Sequence, residues 1–165
     1  MSGGELWSAP FEALEEGASF TTRGRTVTEA DVVGFAALTG DWHPQHTDAV
    51  WAGASAFGER IAHGMLLISF AVGLVPFDPG RVVALRRITD VVFKRPVLLG
   101  DTIRVEGRIS SLKPITEEAG LVAWSWKVVR ADGKPACLAQ VEVLWSRDGA
   151  PQPAAAAAAA AGASA

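Results

Sequence analysis

The sequence predicts an α+β domain in which an antiparallel sheet curls around one buried helix. Two observations carry this. Residues 64–74 are apolar on all sides, with Met65, Leu66, Leu67, Ile68, Phe70, Ala71, Val72 and Leu74 among them. A helix without a polar face has to be buried all round. The second half of the chain then reads as strands able to wrap it. Residues 82–93 are rich in β-branched side chains. Residues 102–109 alternate, with Ile103, Val105 and Ile109 against Arg104, Glu106 and Arg108. Residues 121–130 and 136–145 follow, parted by Asp132-Gly133, a hairpin signal. Gly100-Asp101 marks a further turn.

Ahead of the central helix the elements are shorter. Residues 20–27 alternate weakly and are expected as a first strand. Thr28, followed by Asp31, has the pattern of a helix cap. A helix is expected at 30–38, with Val33, Ala36 and Ala37 on one face and Gly40 as its stop. Pro44 disfavours helical geometry at His43, so 41–47 cannot be helix throughout. Asp48 caps a second short helix at 49–54, and 55–63 is loop. With 165 residues one domain is expected, spanning 19–148. Residues 1–18 show no period and read as an arm or loosely packed cover. Residues 149–165 form a low-complexity tail. Its alanines at 154–161 are fewer than the roughly 12–15 residues a helix needs alone in water, so disorder is expected there.

Composition excludes several classes of function. Lys plus Arg is 15 against 18 for Asp plus Glu, a net charge of −3. That argues against a binder of nucleic acid working by electrostatic attraction. One cysteine, Cys137, excludes an internal disulfide and a multi-cysteine zinc site. Tyrosine is absent. The N-terminal stretch carries acids and no basic run, unlike a secretory signal. The longest apolar run, 65–77, contains Gly73 and Pro76 and is about half the ~20 residues that cross a bilayer. A cytoplasmic protein with no membrane partner is expected.

All three histidines, His43, His46 and His63, lie within 21 residues of one another in sequence, so any imidazole chemistry belongs there. Asp41 and His46 sit on one Pro-containing loop. A loop can aim two such side chains at one point, where a carboxylate and an imidazole hold a water molecule and exchange its protons. Gly64 opens the buried helix, whose first N–H groups are free and carry the positive end of its dipole. Pointed at a carbonyl oxygen, they stabilise a developing enolate. A glycine there allows close approach to the backbone.

The string Thr39-Gly40-Asp41-Trp42-His43-Pro44-Gln45-His46-Thr47-Asp48, with His63-Gly64-Met65 downstream and Pro96-Val97-Leu98-Leu99-Gly100-Asp101-Thr102 later, resembles the MaoC-type (R)-specific enoyl-CoA hydratase family. The resemblance covers residues 15–147. It implies the hot-dog fold, with the catalytic pair on Asp41 and His46 and the oxyanion donor on the N–H of Gly64. It further implies reversible addition of water across the 2,3-double bond of an acyl thioester carried on coenzyme A or an acyl carrier protein. No metal or redox cofactor is implied, and a homodimer or larger homo-oligomer is. Trp42, His43, His63 and Met65 are expected to touch the substrate. Arg86, Arg87, Lys94 and Arg95 are candidates to meet coenzyme phosphates. Two positions depart from the family pattern. His43 stands where asparagine is usual, and Gln45 where an aliphatic residue is usual. An acyl thioesterase on the same fold, a tailoring dehydratase for a bulky polyketide-like substrate, and a non-catalytic partner subunit stay open as alternatives.

Overall fold

In the computed structural model, which describes residues 3–149, the chain closes one antiparallel sheet over one central helix. Before the helix lie α1 (Gly3–Ser8), a 3-10 turn (Phe11–Ala13), β1 (Ser19–Thr21), β2 (Arg25–Thr26), α2 (Glu29–Thr39), α3 (Pro44–Thr47) and α4 (Ala49–Gly53). The central helix is α5 (Gly64–Leu74), equal in length to α2, and β3 (Val82–Phe93), β4 (Thr102–Pro114), β5 (Ala119–Arg130) and β6 (Pro135–Ser146) follow it. The strand order is β1-β4-β5-β6-β3, with β2 also paired to β4. This is the hot-dog arrangement expected from sequence. The expected tail falls, except for Gly149, outside the described residues.

The sheet follows its period. Ile103, Val105 and Ile109 on β4, Val122, Trp124, Trp126 and Val128 on β5, and Val141, Val143 and Trp145 on β6 are all buried. Alternate residues point to one face of a strand, so these rows meet α5. Asp132-Gly133 closes the β5–β6 hairpin, with Gly133 at φ 77. The cap of α2 is reciprocal. The Asp31 N–H donates to Thr28 Oγ1, and Asp31 Oδ2 accepts from the Thr28 N–H at 2.8 Å. Gly40 ends α2 in the left-handed region at φ 78, which a glycine enters without steric cost.

Four expectations are corrected. The weak alternation at 20–27 is two strands, β1 and β2, broken where the Thr22 hydroxyl takes the Val105 N–H at 2.9 Å. The buried face of α2 is Val32 and Ala36, while Val33 is exposed. The central helix is not buried all round. Met65, Ser69 and Gly73 are exposed, spaced four apart along one stripe, because the sheet covers only the other side. The loose cover expected at 1–18 is, from residue 6 onward, part of the packed body, since Leu6, Trp7, Phe11 and Leu14 belong to the core. Trp7 stacks on Trp124 at 4.7 Å and meets Phe20 and Phe77 edge-on. The Trp145 indole N–H donates to the Ala9 carbonyl at 3.0 Å. Isolated aromatics without a period carry no signal of strand or helix, yet each removes a large apolar area from water.

Candidate active site

Pro44 begins α3 because its fixed φ suits the first helical position and its missing N–H costs nothing there. The His43 ring caps this helix. Its Nδ1 accepts from the Gln45 N–H at 3.1 Å, the task for which an asparagine side chain is suited. The imidazole so used stands edge-on to Trp51 at 5.3 Å and edge-on to His46 at 6.3 Å. One turn into α3 stands His46, which is buried.

His46 is fixed by the loop ahead of α5. Its Nδ1 lies 2.7 Å from the Ile61 carbonyl oxygen. A carbonyl only accepts, so the proton sits on Nδ1 and the lone pair on Nε2. Ile61 is itself held, its N–H donating to Gln45 O at 3.2 Å. The next residue donates likewise, Ala62 N–H to Val97 O at 2.8 Å. Arg60 clamps the same loop to α2 through Glu29. Burial lowers the His46 pKa, against the raising effect of the Ile61 carbonyl, and the net direction is downward from 6.5.

His63 stacks on His46, with ring centroids 3.8 Å apart and 28° between planes. Its Nε2–H donates to the Asp41 carbonyl at 3.0 Å, while its buried Nδ1 has no hydrogen-bond partner. His63 therefore holds the backbone of the residue whose side chain faces His46. The Asp41 carboxylate accepts from the His43 N–H at 3.3 Å. One donor atom from each of Asp41, His46 and His63 lies within 4.8 Å of the other two.

A cavity of about 290 Å³ joins Asp41 and His63 to the start of α5 and is lined by Phe35, Thr39, Gly64, Met65 and Phe93 as well. A second, of about 310 Å³, lies on the other side of Gly64 and Phe93. Leu67 and Val97 line it, and the exposed Lys94 and Arg95 stand there too. Of the residues singled out in the sequence, Asp41, His63, Gly64 and Met65 line one cavity, and His46 lines neither but stacks on His63 behind it. Trp42 lines neither cavity and is 53% exposed. His43 serves as a cap. Arg86 and Arg87 both pair with Glu142, whereas Lys94 and Arg95 form no ion pair within 4.0 Å among the described residues; Arg95 donates to the Pro135 carbonyl at 3.0 Å and its charge helps lower the Asp132 pKa. Cys137 is a buried thiol, pushed up to about 11 by burial. Sequence reasoning missed two contributors. The Ile61 carbonyl carries no side-chain signal at all. Phe93 reads only as the end of a strand, and nothing linear places it against Gly64.

Comparison with known proteins agrees with this geometry. A family model described as MaoC like domain matches residues 12–125. Protein MaoC of Klebsiella aerogenes is 46% identical over 97 residues, which is 58% of this chain and 29% of that protein. The 3-hydroxybutyryl-CoA dehydratase of Methylorubrum extorquens is 36% identical over 120 residues, 71% of this chain and 74% of the relative. The chain therefore spans under a third of the first relative and about three quarters of the second. Among solved structures, the unliganded R-hydratase from Pseudomonas aeruginosa superposes with a TM-score of 0.69 at 33% identity, over 84% of this chain and 86% of that one. Sequence motif, sheet topology and site geometry lead to one conclusion: the chain belongs to the MaoC-like domain family.

Proposed function

We propose that the chain is a hydro-lyase that adds water to, or removes it from, the 2,3-double bond of an acyl thioester, with an (R)-3-hydroxyacyl thioester as the hydrated form. One observation carries the reading. The Asp41 carboxylate and the His46 ring meet within 4.8 Å, beside a cavity that ends at the N-terminus of α5. In hydration, neutral His46 takes one proton of the held water on Nε2, and Asp41 accepts a hydrogen bond from the other. The hydroxide oxygen bonds to C3. The π-electron pair moves to the thioester oxygen, where the Gly64 N–H stabilises the enolate. The imidazolium then returns a proton to C2, and dehydration is the reverse. No metal or redox cofactor enters, because the carbonyl needs only the helix N-terminus to polarise it. Lys94 and Arg95 suit the phosphates that coenzyme A and the acyl carrier protein arm both carry.

The working unit is proposed to be a homodimer joined along β3. We place the protein in the cytoplasm, and among the described residues no helix is long and apolar enough to cross a membrane. The test follows the conjugated absorbance of a short series of 2-enoyl-CoA thioesters, with the chirality of the product determined. Asp41→Asn and His46→Ala are each expected to lower turnover by a factor on the order of 10² or more. Near-wild-type rates in both would overturn the assignment. Release of free thiol with the double bond intact would make the protein a thioesterase instead.

A further inference from the structure

β3 carries one residue too many near its end. Thr89 pairs with Gln140 and Val92 with Leu138, so three steps on β3 match two on β6. The extra residue falls beside Asp90, the one described non-glycine residue with positive φ, at 51°. A bulge of this kind re-aims the side chains that follow it. Ile88 and Val91 both pack against the core, three apart where an unbroken strand would place them two or four apart. Phe93, two residues beyond Val91, then falls on the helix side of the sheet.

There its ring lies on Gly64. A Cβ built on Gly64 would stand 2.6 Å from Phe93 Cζ and 2.8 Å from each Cε. Gly64 is not in the left-handed region, so its backbone angle does not demand glycine. What a side chain there would displace is the half-exposed Phe93 ring. The same ring is the shared wall of the two cavities, with Asp41 and His63 on one side and Lys94 and Arg95 on the other.

We infer that Phe93 is a specificity-determining residue that excludes substituents at C2 of the acyl group. The inference rests on the reading of Gly64 as the donor to the thioester oxygen. With that oxygen on the Gly64 N–H, C2 is two bonds away and passes the edge of the ring. A hydrogen fits at C2. A methyl group competes with the ring for the space over Gly64.

The experiment compares kcat/KM for 2-butenoyl-CoA and 2-methyl-2-butenoyl-CoA in wild type, Phe93→Ala and Phe93→Leu. One methyl in a packed site is worth about 10- to 200-fold in discrimination. The branched-to-unbranched ratio is therefore expected to rise about tenfold or more in Phe93→Ala and by less in Phe93→Leu. A role limited to stability would lower both rates together and leave the ratio alone. An unchanged ratio in both variants overturns the inference, and Phe93→Leu keeps the test alive if the alanine variant does not fold. Asp41→Asn is run beside them on 2-butenoyl-CoA. Full activity there would sink the underlying site reading, a result separate from an unchanged ratio.

Discussion

At His46 burial and a hydrogen bond act against each other, and burial wins. Desolvation disfavours the imidazolium, the Ile61 carbonyl favours it, and His63 stacked alongside disfavours it again. The pKa falls below 6.5, so the ring is neutral at pH 7 and able to accept a proton from water. In the free enzyme, kcat/KM is expected to lose activity on the acid side with a midpoint below 6.5, measured as a pH profile on 2-butenoyl-CoA. A midpoint above 6.5 would contradict the proposed role. The same shift acts on folding. Between the folded and unfolded values the unfolded chain binds more protons, so stability rises with pH there. The contribution is whole above 6.5 and is lost as pH falls through the lower folded value. His43 shows what a linear reading can and cannot extract. Its departure from the usual asparagine is visible in the sequence, but its use is not. An imidazole Nδ1 at helix-capping distance replaces an amide oxygen, and only the backbone of α3 reveals that.

On the scale of elements, what was legible depended on how local the cause is. The start and stop of α2 were readable because Thr28, Asp31 and Gly40 act on their own neighbours. The β5–β6 hairpin was readable for the same reason. The faces of β3 were not, since a strand with register shifts has no constant period, and apolar residues on both faces hide the break. Likewise, hydropathy could not distinguish the exposed stripe of α5, because methionine, serine and glycine do not mark a polar face. Asp90 offers a direct test of the bulge. A β-branched residue in the left-handed region costs about 1–2 kcal/mol, whereas glycine costs nothing sterically. Asp90→Val is therefore expected to lose about 1–2 kcal/mol in urea unfolding, while Asp90→Gly stays level or gains slightly. Equal loss in both would mean that the Asp90 carboxylate, not the backbone angle, is what matters there.

For the whole molecule, the two rims of the sheet are finished differently. At one rim β1 and β2 cover β4, and the N-terminal segment drives Trp7 into the core beneath. At the other rim β3 is twelve residues long, and among the described residues no strand pairs with its outer row of backbone N–H and C=O groups. Val83, Leu85, Val92 and Phe93 are exposed along it. Long uncovered edges are templates for pairing, and monomers usually blunt them with charge, proline or a covering element. The carboxylate of Glu142 ties down Arg86 and Arg87, which weakens the charge that this part of the strand presents. Antiparallel pairing of β3 with the same strand of a second copy satisfies the edge on both chains through a two-fold axis. It also sets two sites near one seam, since Phe93 ends the strand and touches Gly64. Light scattering on a sizing column is expected to give twice the 17.3 kDa chain mass. The double substitution Val83→Lys with Leu85→Lys adds two positive charges to this edge of each copy. It should return the mass toward that of one chain while the circular dichroism of the sheet is kept. A wild-type protein that runs as a monomer at tens of micromolar would leave the β3 edge unexplained and remove the dimer from the proposal.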